Sequence, residues 1–139
     1  MQHVVLAARI IFGAPFLIMG LNVFYGFFEP PTEATGEAAA FLGALEDTGF
    51  MHTLRGIVET LGGAMVVTGI LVPLGLVLLA PVVVHIVLYH HFLDPSGTLI
   101  AWTLLGLGLF LAYAYGPAFR GVLDASAKPR WKAPRKMFG

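Results

Sequence analysis

Four apolar runs, at about 4–28, 51–72, 74–93 and 98–117, each approach the ~20 residues that a helix needs to cross a bilayer core. No water reaches that depth to complete the hydrogen bonding of the main chain, so runs of this kind must be helices. The expected fold is therefore all-α, an integral membrane four-helix bundle. Composition agrees, with 58% of the 139 residues hydrophobic and 12% charged, a balance far from that of soluble domains. The second and third runs meet at Leu71-Val72-Pro73-Leu74, where Pro73 should break the helix and leave a tight turn at one membrane face. A single longer kinked helix is the alternative.

The second run carries charge where its surroundings should be lipid. At 3.6 residues per turn His52, Arg55, Glu59, Gly62, Gly63 and Val66 fall along one side of the helix, a polar and then small-residue stripe on an aliphatic surface. A charge near a helix centre costs roughly 2.5–3.5 kcal/mol on insertion scales, so this stripe should face protein. Arg55 and Glu59 are four residues apart and can touch, but in the weaker order with respect to the helix dipole. Partners on neighbouring helices are expected as well.

Charge is also unevenly spread along the chain. Glu29, Glu33, Glu37, Glu46 and Asp47 lie between the first two runs, and Arg120, Lys128, Arg130, Lys132, Arg135 and Lys136 follow the last. Cationic flanks stay in the cytoplasm. Four spans then put both termini there, in a protein integral to the cytoplasmic membrane. Residues 1–120 would form the bundle and 121–139 a basic cytoplasmic tail, attracted to phospholipid or docking a cytoplasmic partner. The first run is too long for a signal-peptide core and lacks a cationic start, so it is read as retained. After Pro30-Pro31, Ala38, Phe41, Leu42 and Leu45 recur at helical spacing. They suggest a short amphipathic helix over about 34–48 on the outer surface, a cover for the bundle end or a guard over an opening, with Gly43 and Gly49 as bending points.

In the first run Arg9 either snorkels to headgroups or pairs with an acid on another helix, and Gly13, Phe16 and Gly20 share its face as a packing groove. Asn22 is an interhelical hydrogen-bond donor or a ligand contact, and Phe24, Tyr25, Phe27 and Phe28 form an interfacial belt. The third run holds His85, Tyr89, His90 and His91. His85 and Tyr89 share a face; His85 falls near mid-membrane, and Tyr89, His90 and His91 near the outer interface at the depth of His52 and Arg55, so that a polar cluster in the outer half is geometrically possible. His85 is a hydrogen-bonded bundle histidine, a proton or quinone contact, or a metal or haem ligand. A bis-histidine haem is disfavoured because the other runs offer no second mid-membrane His. His52, His90, His91 and Asp94 could hold a divalent metal, but no metal site is assigned on that spacing. Asp94-Pro95-Ser96-Gly97 is a turn able to cap the last helix, in which Gly106 and Gly108 would pack closely. Cysteine is absent, which excludes disulfides, thiol relays and Cys-ligated iron–sulfur clusters. No nucleic-acid signature occurs.

With these residues in view the chain resembles the DoxX family of small four-span membrane proteins, over roughly Ala8 to Arg120. The resemblance rests on Ala8-Arg9-Ile10-Ile11-Phe12-Gly13 through Gly20-Leu21-Asn22, on Gly56-Ile57-Val58-Glu59-Thr60-Leu61-Gly62-Gly63, and on His90-His91-Phe92-Leu93-Asp94-Pro95-Ser96-Gly97. Val23 stands where the family pattern often has Lys, and His85 where an amide is common. The resemblance implies a four-helix bundle associated with membrane redox systems, the family name being linked to a thiosulfate:quinone oxidoreductase and to an oxidant-defence complex.

The leading expectation is a membrane subunit of a quinone-linked redox system. Arg55 would fix a carbonyl or anion, Glu59 would handle protons with His85 or His90 as relay, and Asn22, His52, Tyr89 and His90 would line the ligand. The cofactor is open, with quinone as the candidate. The lipid bilayer is the expected partner, with a membrane or soluble redox partner or a second copy of the chain as candidates beside it. One rival is a non-catalytic scaffold or accessory subunit whose polar residues lock the helix register. Another is a small-solute or lipid-handling protein.

Overall fold

Three of the apolar runs become helices long and apolar enough to cross a membrane, and the remaining one, the second, becomes the helix against which the first and third pack. A computed structural model of the chain describes residues 1–29 and 34–129. The expected turn at Pro30-Pro31, Glu33 of the acidic loop and the tail cations Arg130, Lys132, Arg135 and Lys136 lie outside the described residues. The elements are α1 (Gln2–Tyr25), α2 (Gly36–Asp47), α3 (Met51–Thr68), α4 (Val72–Phe92), a 3-10 turn (Pro95–Gly97), α5 (Thr98–Ala114) and α6 (Gly116–Phe119), with no strand among the described residues. The three membrane-length segments are Gln2–Tyr25, Val72–Phe92 and Pro95–Ala114, of 24, 21 and 20 residues. At 18 residues α3 is about 27 Å long. It is less apolar than the others because His52, Arg55, Glu59 and three glycines take positions that aliphatic residues fill elsewhere.

Those glycines let α3 sit against two helices at once. A Cβ on Gly63 would lie 2.5 Å from the Leu17 nitrogen of α1, and one on Gly56 would lie 2.8 Å from Val23 Cγ1. From the other side, a Cβ on Gly20 of α1 would meet the Thr60 nitrogen at 2.5 Å. The order of these contacts, Val23 with Gly56, Gly20 with Thr60 and Leu17 with Gly63, makes α1 and α3 antiparallel. On another face of α3, Gly62 meets Leu79 of α4, and Gly75 of α4 meets Met65. Contact at this range, main chain against main chain, maximises dispersion between the helices. The buried side of α1 is Ala8, Phe12, Gly13, Phe16 and Gly20, the groove expected from the sequence. Phe12, Leu79, Leu111, Val66 and Val72 form the fully buried core. α5 joins through Gly108, where a Cβ would lie 3.2 Å from the Phe12 ring, whereas Gly106, expected to pack closely, faces open space.

The α3–α4 connection differs from expectation. α3 ends at Thr68, with Gly69 in the left-handed region at φ 83°, and Leu71, also left-handed at φ 57°, precedes α4. The turn is thus Gly69-Ile70-Leu71. Pro73 lies in the first turn of α4, where its missing N–H would have had no helical partner anyway, so it starts a helix and breaks none. α4 likewise tolerates Pro81 and α1 tolerates Pro15.

Arg9 neither snorkels nor pairs with an acid. Its Nε donates to the Val66 carbonyl and its Nη2 to the Val67 carbonyl, both at 2.9 Å. It is a cation placed on the C-terminal carbonyls of α3, where the dipole favours it, and its guanidinium lies against Gly69, where any side chain would collide with it.

Candidate functional site

α2, α3 and α4 enclose a half-open cleft of about 280 Å³. α2 contributes Leu42, Leu45 and Glu46. α3 contributes Met51, His52, Leu54, Arg55 and Val58, and α4 contributes Pro81, Val82 and His85. The walls are aliphatic, and three of the expected site residues, His52, Arg55 and His85, converge on them. α3 supplies its part because His52, Arg55 and Val58 recur every three residues on one helical stripe. α2 supplies its part because Ala38 is buried and Phe41, Leu42 and Leu45 are half-buried while Glu37, Glu46 and Asp47 remain exposed.

Arg55 and Glu59 touch, with Arg55 Nε 3.6 Å from Glu59 Oε1. Their surroundings differ, the Arg55 side chain being 41% exposed and that of Glu59 7%. Glu59 therefore sits behind Arg55, away from the cleft, and the guanidinium faces the opening. The further partners expected from neighbouring helices are missing among the described residues: Arg55 Nε, Glu59 Oε2 and Thr60 Oγ1 are buried without a hydrogen-bond partner. The reason is the close packing itself. The buried side of α1 is glycine, alanine and phenylalanine, and helices that approach through glycine leave no room for a polar side chain opposite the carboxylate. An arginine whose donors are unspent beside an apolar cleft can bind an oxygen acceptor on an otherwise apolar molecule.

His85 has an aromatic neighbour that the sequence did not disclose. The Phe41 ring of α2 stacks on it, with centroids 5.5 Å apart and planes at 27°, and lies 6.2 Å from the Tyr89 ring. The spacing of Phe41 with Ala38, Leu42 and Leu45 marked the inward side of α2, but nothing in the sequence paired it with α4.

The remaining expected residues are engaged elsewhere. Asn22 Nδ2 donates to the Phe28 carbonyl and its Oδ1 accepts from the Phe28 amide, both at 3.0 Å, so both ends of the amide close the turn after α1. His90 Nδ1 lies 2.8 Å from the Asp94 carbonyl oxygen, which can only accept, so Nδ1 carries the proton. The His90 ring packs over Gly97 and edge-on to Tyr89. It belongs to the α4–α5 turn, where Asp94 Oδ1 accepts from the Ser96 amide and hydroxyl. Those two bonds, the hydroxyl's first, hold the Asp94 carboxyl below the usual carboxylate range. His91 is exposed and packs against Phe92. No three His, Asp or Glu side chains among the described residues come together as a metal set, so the His52, His90, His91 and Asp94 grouping is not assembled.

No curated protein and no solved structure matches the chain. The DoxX family model matches residues 4–92, which span α1 to α4 and include the whole lining of the cleft, while α5 lies beyond the match. Glycines that seat α3 against α1 and α4, with Glu59 among them, fall within that match, and the chain belongs to the DoxX family.

Proposed function

We propose that this DoxX-family chain is a membrane subunit of a quinone-linked redox system and that the cleft between α2, α3 and α4 receives the quinone. α3 then crosses the bilayer as the fourth span, shielded by α1 and α4, with α2 on the outer surface and the basic tail in the cytoplasm. The observation that carries this reading is the composition of the cleft: an aliphatic chamber of about 280 Å³ with Arg55 and His85 as its inward donors. A quinone has that make-up, an apolar chain on a flat ring that carries carbonyl oxygens at its edge.

Reduction of a quinone to the quinol takes two electrons and two protons. A chain without cysteine brings no thiol or Cys-ligated cluster, and the electrons come from a partner protein at the membrane surface. Arg55 holds a carbonyl oxygen and stabilises the negative charge that builds on it. Glu59, 3.6 Å behind, keeps the guanidinium oriented and balances its charge. His85 lies at the cleft wall, where it can pass a proton to the ring oxygen, and the exposed His52 connects that wall to solvent.

The test is binding of tritiated decylubiquinone to the full chain in nanodiscs, together with quinol formation in membranes supplied with reductant. Arg55→Gln is expected to weaken binding by about tenfold, the scale of one charge-assisted hydrogen bond, and Glu59→Gln to weaken it less, by removing the charge that orients the guanidinium. Unchanged binding and unchanged quinol formation in both variants overturn the proposal.

A further inference from the structure

Phe41 separates two residues of α4 that would otherwise share one groove. His85 lines the cleft beside Arg55, and Tyr89, one turn further along the same face of α4, does not. Between the two lies the Phe41 ring, stacked on His85 at 5.5 Å and tilted against Tyr89 at 6.2 Å. α2 holds that ring with little else, since Ala38 is its one buried side chain and a methyl group contributes little packing.

We infer that Phe41 is a displaceable plug, and that the ligand is a para-quinone whose ring takes the place of Phe41 on His85, with one carbonyl oxygen at Arg55 and the opposite one at the Tyr89 hydroxyl. This rests on the reading of the cleft as a quinone site and adds the way in, the ring contact and a second hydrogen bond. Three features carry it. The imidazole already holds a flat ring, a contact that an alkyl chain or a small polar solute cannot replace. His85 and Tyr89 are four residues apart on one face of α4, about 6 Å along the helix, so a ring stacked on the imidazole has Arg55 on its cleft side and the Tyr89 phenol one turn beyond. Leu42, Leu54 and Pro81 line the rest of the cleft and give the hydrocarbon chain an apolar bed.

Association and affinity of decylubiquinone are measured by stopped flow on the full chain in nanodiscs, with α2 amide exchange followed in parallel. Phe41→Ala is expected to bind faster and about two- to tenfold more tightly, since no aromatic contact has to be broken first. Phe41→Trp should associate more slowly than wild type, which covers the case in which the alanine variant is poorly folded. Tyr89→Phe should weaken the para-quinone by about two- to tenfold, the scale of one neutral hydrogen bond, and leave unchanged an analogue lacking the second carbonyl. Exchange across α2 should rise when the ligand binds. Wild-type rates and affinity in both Phe41 variants, or an unaffected Tyr89→Phe, overturn the plug while the cleft still binds quinone. Absence of quinone binding in wild type and Phe41→Ala alike removes the cleft reading and the plug with it.

Discussion

Gly63→Ala should separate α1 from α3. A Cβ at position 63 lies 2.5 Å from the Leu17 nitrogen, 2.9 Å from Leu17 Cα and 2.9 Å from the Gly13 carbonyl oxygen, all of them main-chain atoms that cannot rotate aside. Ordinary contact begins near 3.4 Å, so α1 has to retreat by roughly 1 Å along this seam. Overpacking of that kind costs about 1–3 kcal/mol. The same retreat carries Arg9 away from the Val66 and Val67 carbonyls, now 2.9 Å from its nitrogens, toward the limit of hydrogen bonding. The total loss should be about 3 kcal/mol, read from reversible unfolding in mixed detergent micelles. Gly106→Ala supplies the control, because a Cβ there meets nothing within 4 Å. It should be neutral or stabilise by about 0.5–1 kcal/mol through lost chain entropy. Equal behaviour of the two variants would refute the close seam and with it the placement of α3 between α1 and α4.

Arg9→Gln removes the charge and the two-pronged cap of α3, and should cost about 2–4 kcal/mol in the same unfolding assay; unchanged stability would show that the cap carries no weight. For the α4–α5 turn, the carboxyl of Asp94 is held below its ordinary value of 3.8 by Ser96. Its contribution is therefore complete above that ordinary value and is lost as pH falls through the lower folded value. Exchange of the Ser96 amide should accelerate with that protonation, beyond the intrinsic pH dependence, and in Asp94→Asn the acceleration should disappear.

Much of the helical architecture was legible because it follows from lipid as solvent. The lengths of the apolar runs, the face bearing Gly13, Phe16 and Gly20, and the Asp94–Gly97 turn all rest on local chemistry that a sequence displays. What could not be read is set by contacts between helices. An apolar stretch continues through Gly69-Ile70-Leu71, and only the left-handed backbone at Gly69 and Leu71 puts the break there instead of at Pro73. Arg9 had two plausible fates in a membrane, and its actual one depends on the end of α3 lying beside it. The amide of Asn22 could serve a ligand or a neighbouring helix by sequence alone, and its bonds to Phe28 come from the turn after α1. Depth along the helices pairs His52 and Arg55 with Tyr89 and His90 and leaves His85 deeper, yet it is His85 that lines the cleft with them; Phe41 could not be read at all, because its partner lies on a helix far along the chain.

Photoaffinity labelling tests the central claim most directly, that the ligand lies between α2, α3 and α4. An azido-quinone is cross-linked to the full chain in native-like membranes, with and without excess decylubiquinone, and the labelled peptides are mapped by mass spectrometry. The account predicts protectable adducts on residues that line the cleft, in the segments 51–58 and 81–85 and on α2 around Leu42 and Leu45. Adducts confined to the α4–α5 groove around Leu76, Val83 and Leu109, or labelling that excess quinone does not reduce, would contradict it.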